Sequence, residues 1–326
     1  MRMLCTAALV LALWGCADST RSPLAPRVDG KLEADAAPHF SDWSAPVNVG
    51  APVNSASFEQ GESLSKDGLR LYFASNRLGG LGDVDLYVSR RACTDLDRAE
   101  CAWQVPVNLG PTVNTAGFEA APRLSIDGHW LYFTSTRPGG FGGQDLYVSR
   151  RRDKTDDLAW EEPVNLGPGI NTAGDEGASD TFENEATGTS KLYYTSGPAN
   201  SAGVDIYVST LGPDGAYGPG VPVAELNTDF IERMPAIARD GLEMFFASSR
   251  PGGSGALDLW VATRSSTSAP WSTPVNLGPT VNSAVIDARP AISFDGTQLY
   301  FQSPRPGGLG GFDLFVTTRV KLKGSN

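Results

Sequence analysis

Leu71-Tyr-Phe-Ala-Ser-Asn-Arg77, a glycine run and then Asp85-Leu-Tyr-Val-Ser89 form the stretch that decides the fold, because the chain writes it repeatedly. Trp43-Ser-Ala-Pro-Val-Asn48 and the pair Asp67-Gly68 precede it. The whole unit restarts at Trp103, at Trp160, in degenerate form over Pro219 to Val223, and at Trp271, so the intervals from Trp43 to Trp271 average 57 residues. A period of that length, with four short strand-like runs per copy, marks a radial β repeat in which no copy buries its apolar face alone.

The second copy sets the strand order. Glu119 to Ser125 is the expected innermost strand, Trp130 to Ser135 the second, Asp145 to Arg150 the third and Trp160 to Asn165 the outermost, with Asp127-Gly128 at the first hairpin turn. In this frame the chain opens with an orphan outermost strand, Trp43 to Val49, and ends with three strands, from Ala288, Gln298 and Asp313. Joining the orphan to the last three closes the ring and removes exposed edges. The predicted fold is all-β: a five-bladed β-propeller of four-stranded antiparallel blades, closed by the N-terminal strand.

Composition agrees with that architecture. The 326 residues include 37 Gly and 23 Pro, which suits short strands and many turns better than helices. Formal net charge is −11, with 26 basic residues scattered among 37 acidic ones. Such a surface excludes nucleic acid as an expected partner, since phosphate binding needs clustered Lys and Arg.

The N-terminus has a different character. Arg2 precedes the apolar stretch Leu4 to Trp14, too short for a membrane span and typical of a secretory signal. Residues 1–15 are therefore expected to be a signal peptide and 16–42, small, polar and proline-rich, a tether. The repeat occupies 43–319 and a short tail 320–326. Export leaves Cys93 and Cys101 in one connection between repeats, where an oxidising compartment lets them close a disulfide. A metal pair is the rival, but only His39 and His129 are present to complete it.

Two resemblances follow from these residues. Leu13-Trp14-Gly15-Cys16 resembles the lipobox of bacterial lipoproteins, which implies Cys16 as an acylated, palmitate-bearing membrane anchor; Ala17 after it implies the outer membrane, facing the periplasm or the cell surface. Ser65-Lys-Asp-Gly68, Leu71 to Arg77 and Asp85-Leu-Tyr-Val88 resemble the WD-like repeats of TolB and related envelope propellers, across residues 43 to 319. That resemblance implies a non-enzymatic binding or scaffolding module, a monomeric domain whose partners are envelope proteins or glycans. The alternative is a propeller that cleaves or binds glycans through axial carboxylates.

Candidate residues lie on one face, because alternating strand direction brings together the connections into the innermost strands and those between second and third strands. The first set carries Glu59, Glu119, Glu176, Glu232 and Asp287, each five residues after an Asn. This ring is the candidate ligand site for a cation, a basic peptide or sugar hydroxyls, with structural pairing as the competing role. The second set carries Arg77, Arg137, Arg250 and Arg305, each eight residues before Asp85, Asp145, Asp258 and Asp313, and predicts four structural ion pairs. The third copy departs from the rest: it gains Asp180, Glu183 and Glu185 and has Pro198 where the arginine is expected. Those acids suggest calcium as a candidate cofactor, although the ordered spacing of a calcium loop is missing. No catalytic residue is assigned: there is no Gly-x-Ser-x-Gly elbow, and five equivalent acids do not supply the two unlike carboxyls that glycoside hydrolysis requires.

Overall fold

The computed structural model describes residues 40–184, 187–198 and 203–322. Cys16, the signal segment, nearly all of the tether, Glu185 and the last four residues lie outside them. Within the described residues five four-stranded antiparallel sheets form a five-bladed propeller. The one helical element among the described residues is a 3-10 turn, Ala99–Cys101. The innermost strands are Glu59–Leu64, Glu119–Leu124, Asp175–Asn184, Glu232–Ile237 and Ala288–Ile292. The ring closes as expected: Val47 pairs with Val316 and Asn48 with Phe315, so the first strand completes the last blade.

The second strand of each blade is apolar on both faces because a neighbouring blade covers each one. Leu71, Tyr72 and Phe73 are all fully buried, and they divide between two clusters. Tyr72 packs with Phe133, Tyr147 and Trp160 of the next blade. Leu71 and Phe73 pack with Tyr300 and Leu314 of the last blade. The core is thus a set of wedges between blades, and no blade is complete alone.

The outermost strands are shorter than the sequence suggests, two paired residues each. Their tryptophans have another duty. Arg91 donates through Nε to the carbonyl of Gly68 and stacks on Trp103 at 4.3 Å. Arg151 does the same with Gly128 and Trp160, and Arg264 with Gly241 and Trp271. Arg319 repeats it with Gly296 and Trp43. Gly68 has φ +69°, which lets the Asp-Gly turn present that carbonyl without steric cost. In the third blade Leu211 stands in place of the arginine and bridges Tyr217.

Every innermost strand carries a bulge at the same place. In the first blade Gly61 and Glu62 fall between the paired Gln60 and Ser63. The first bulge residue is left-handed in all five blades: Gly61, Ala121, Ala178, Met234 and Arg289 have φ between +46° and +61°. Four of the five are not glycine, each held there at about 1–3 kcal/mol of backbone strain. Gly61 has a separate need, since a Cβ there would come within 2.9 Å of the Ala121 backbone. These bulges bend the innermost strands around the axis and decide which side chains enter the channel.

Cys93 and Cys101 form a disulfide beside the 3-10 turn.

Candidate functional site

The ring of acids sits where the sequence places it, but its oxygens are occupied. Glu59 is 0 % exposed. Its carboxylate accepts from the Ser55 amide (2.9 Å), the Ser55 hydroxyl (2.7 Å), the Ser75 hydroxyl (3.0 Å) and Arg77 (3.0 Å). Glu119 and Glu232 repeat this with Thr115, Ser135 and Arg137, and with Thr228, Ser248 and Arg250. Asp287 uses Ser283 and Arg305. Glu176 keeps Thr172 and Ser196 but has no arginine, since Pro198 occupies that place. Each acid is therefore buried and held by its own entrance turn, in four blades also by an arginine, and is closed to a ligand arriving from solvent.

The arginine pairs need correction. Arg77 bridges Glu59, not Asp85; likewise Arg137 bridges Glu119, Arg250 bridges Glu232 and Arg305 bridges Asp287. The cause is local. The Arg77 guanidinium folds back over Phe73 and Tyr87, 5.1 Å from each ring, and so points at the innermost strand. Asp85 is instead wrapped by the glycine loop, accepting from the amides of Leu81 and Gly82 and from Asn108. Asp145, Asp258 and Asp313 are held in the same way. The asparagines before the acids also bond further afield than their own turns: Asn114 clasps both backbone groups of Leu86 in the previous blade.

Of the third-blade acids, Asp180 and Glu183 lie within the described residues and Glu185 outside them. Asp180 is buried and turned inward, 3.4 Å from Arg123, and accepts from the amides of Thr181 (2.8 Å) and Ile237 (2.9 Å). Among the described residues no group of three or more His, Cys, Asp or Glu is placed to hold a metal ion.

The unlike carboxyls that the ring lacks lie on the axis. Just past the bulge the five blades present Glu62, Pro122, Ser179, Pro235 and Pro290, and one position further Ser63, Arg123, Asp180, Ala236 and Ala291. Glu62 is 1 % exposed, and apart from its own backbone amide neither carboxyl oxygen has a hydrogen-bond partner. Burial pushes its pKa up to about 8, against the opposing pull of Arg123 and Arg289. At neutral pH it is mostly protonated. Burial also raises Asp180, but Arg123 and the two amides oppose that shift and favour its ionised form.

Glu62, Arg123, Arg289 and the three prolines line the waist of the channel, which has room for about one water molecule. On the face of the Asp-Gly hairpins the channel widens to a mouth of about 590 Å³, counting its open end. Lys66, Arg123, Asp180, Arg239 and Phe294 line the mouth, with Lys66 and Arg239 over the Phe294 ring at 4.7 and 5.3 Å. Sequence reasoning misses Glu62, Arg123, Arg233 and Arg289, because each charge occurs in one blade only. Their signal is that non-recurrence: Glu59-Gln-Gly-Glu-Ser-Leu64 set against Glu119-Ala-Ala-Pro-Arg-Leu124 and Asp287-Ala-Arg-Pro-Ala-Ile292.

No family model matches the sequence, and no curated protein matches it. Solved structures do match in fold. An α-L-arabinofuranosidase from Lactobacillus brevis superposes with TM-score 0.56 at 14 % identity, over 82 % of this chain and 92 % of that one. An endo-arabinase from Bacteroides thetaiotaomicron gives 0.56 at 15 %, over 86 % and 98 %. TolB from Acinetobacter baumannii gives 0.46 at 14 %, over 85 % of this chain and 63 % of that one. At such identities the arabinofuranosidase and endo-arabinase superpositions establish a shared fold and nothing finer. They also correct the expectation of a non-enzymatic binding or scaffolding protein, since the two of these structures that superpose above 0.5 are named as glycan-cleaving enzymes.

Proposed function

We propose that this propeller cleaves a glycan held at the hairpin-face mouth, with Glu62 as proton donor and Asp180 as the ionised partner. The observation that carries the reading is the contrast between the two axial carboxyls. Glu62 is isolated in a buried waist and kept neutral, while Asp180 is paired with Arg123 and two amides. Burial raises both acids, but only Asp180 has a guanidinium and two amides against it, and glycosidic cleavage requires two acids in such unlike surroundings.

In this step the bond between the anomeric carbon and the glycosidic oxygen breaks as Glu62 gives its proton to the one water the waist admits and that water passes a proton to the glycosidic oxygen. Water adds its oxygen to the anomeric carbon and leaves a proton on Asp180. Phe294 offers an apolar face to a sugar ring, and Lys66 and Arg239 offer donors to its hydroxyls. Arabinose-containing polysaccharides are the first substrates to test, given the similar arabinofuranosidase and endo-arabinase. An envelope location through Cys16 belongs to the same proposal and supports action on polymers outside the cytoplasm; palmitate labelling lost in Cys16→Ala tests it.

The purified chain without its lipid is to be assayed for sugar release from arabinan, arabinoxylan and a wider polysaccharide panel. Release that falls on Glu62→Gln and on Asp180→Asn supports the proposal. No release from any substrate, or release unchanged in both variants, refutes it.

A further inference from the structure

The waist of the channel holds more positive charge than its own carboxyls offset. Arg123 is matched by Asp180. Arg289 has no carboxylate within bridging distance among the described residues, and its Nε and Nη1 are shut off from solvent with no hydrogen-bond partner, although other parts of the residue are exposed. Its Nη1 lies over the bare backbone of the first blade, 3.2 Å from where a Cβ on Gly61 would stand. Arg233, one residue before the bulge of the preceding blade, also has a buried Nε without a partner. The two guanidiniums repel: together with burial, Arg233 lowers Arg289 to about 10. The one acid facing them, Glu62, is the group that burial keeps neutral.

Buried guanidinium nitrogens with unmet donors require either a counter-charge or a hydrogen-bond acceptor. The space beside Arg289 and Glu62 admits one particle about the size of a water molecule. Sulfate and phosphate are too large for it, and a sugar carboxylate would have to bring its ring through the same constriction. We propose that the waist binds a single halide-sized monovalent anion against the Arg289 guanidinium, with the Glu62 carboxyl completing the shell. Chloride is the natural occupant by abundance and size. The site shares Glu62 with the proposed glycosidic step but does not depend on that step, and its test needs no turnover.

Thermal unfolding of the full chain is compared in sodium chloride, bromide, sulfate and gluconate at matched ionic strength. Chloride and bromide are expected to raise the midpoint by about 3 °C or more above gluconate at saturation, with sulfate following gluconate. Arg289→Met is expected to bring the halide and gluconate curves together. Should that variant fail to fold, anomalous scattering from wild-type crystals soaked in bromide decides the matter, with a peak expected beside Arg289. Overlapping curves in the wild type, a response specific to sulfate, or bromide density absent from the waist overturns the proposal.

Discussion

The entrance clamps and the channel waist are only a few residues apart on the same five strands, yet they obey opposite rules. The clamps are near copies: an acid, a hydroxyl before it, a serine on the second strand and, in four blades, an arginine, with almost every donor and acceptor matched. The waist differs from blade to blade, and there the unmatched groups collect, with Glu62, Arg233 and Arg289 all carrying atoms without partners. Symmetry in a propeller serves closure, since each blade faces the same packing problem. Chemistry needs asymmetry, because a donor and an acceptor of protons cannot be the same residue in the same surroundings.

That contrast can be broken at several places. The largest effect is expected from Glu119→Ala, which leaves Arg137 and the Thr115 amide buried without their acceptor; denaturant unfolding should show a loss of about 3–5 kcal/mol. Glu59→Ala and Glu232→Ala should cost similar amounts. Glu176→Ala should cost less, because no arginine is stranded there. Equal losses in all four would mean that the arginine adds nothing to the clamp.

A middle-sized effect is expected from Cys93→Ser with Cys101→Ser. Opening a loop closed across eight residues should lower stability by about 2–3 kcal/mol, seen as a lower midpoint in denaturant with an unchanged slope. Arg91→Met, which keeps bulk but loses the stack on Trp103 and the bond to Gly68, should cost about 1–2 kcal/mol. Arg151→Met should cost more, because it also removes a buried ion pair with Asp157 at 2.9 Å, leaving that acid to Arg70 and Arg90.

The smallest effect on stability near neutral pH, and the most informative, belongs to Glu62. Its pKa is raised on folding, so the folded state binds the proton more tightly than the unfolded state. Stability from this group is fully present below the unfolded pKa of 4.5 and is lost as pH rises through about 8. Glu62→Gln should therefore flatten the decline of thermal midpoint across that window. An identical decline in wild type and variant would show that Glu62 is not buried as a neutral acid.

How much of this the sequence reveals depends on whether a residue recurs. Asp67-Gly68 announces a turn because it comes back in four of the five blades, Leu71-Tyr-Phe73 announces a strand because an apolar trio of that kind comes back in all five, and the orphan strand at Trp43 announces closure because the count of strands leaves one over. The eight-residue spacing from Arg77 to Asp85 also recurs, yet it suggests the wrong partner. Spacing along the chain cannot tell which of two nearby carboxylates a long side chain will meet after folding back over Phe73. Asp180 is visible as a departure in the third copy, but its direction is set by Arg123 across the channel, a contact between blades. Glu62 is hidden for a further reason: its significance comes from the left-handed bulge at Gly61 that turns it into the waist, and Gly61 is the only glycine at that position in the five blades.

The most direct test is a paired measurement on Glu62→Gln and Glu119→Gln, each followed for glycan turnover and for thermal midpoint at pH 6. If chemistry lies on the axis and the ring holds the blades, Glu62→Gln loses about 100-fold or more in turnover with its midpoint nearly unchanged, while Glu119→Gln loses midpoint and keeps turnover in whatever fraction remains folded. The reverse pattern, turnover lost in Glu119→Gln without loss of stability and retained in Glu62→Gln, would contradict the account.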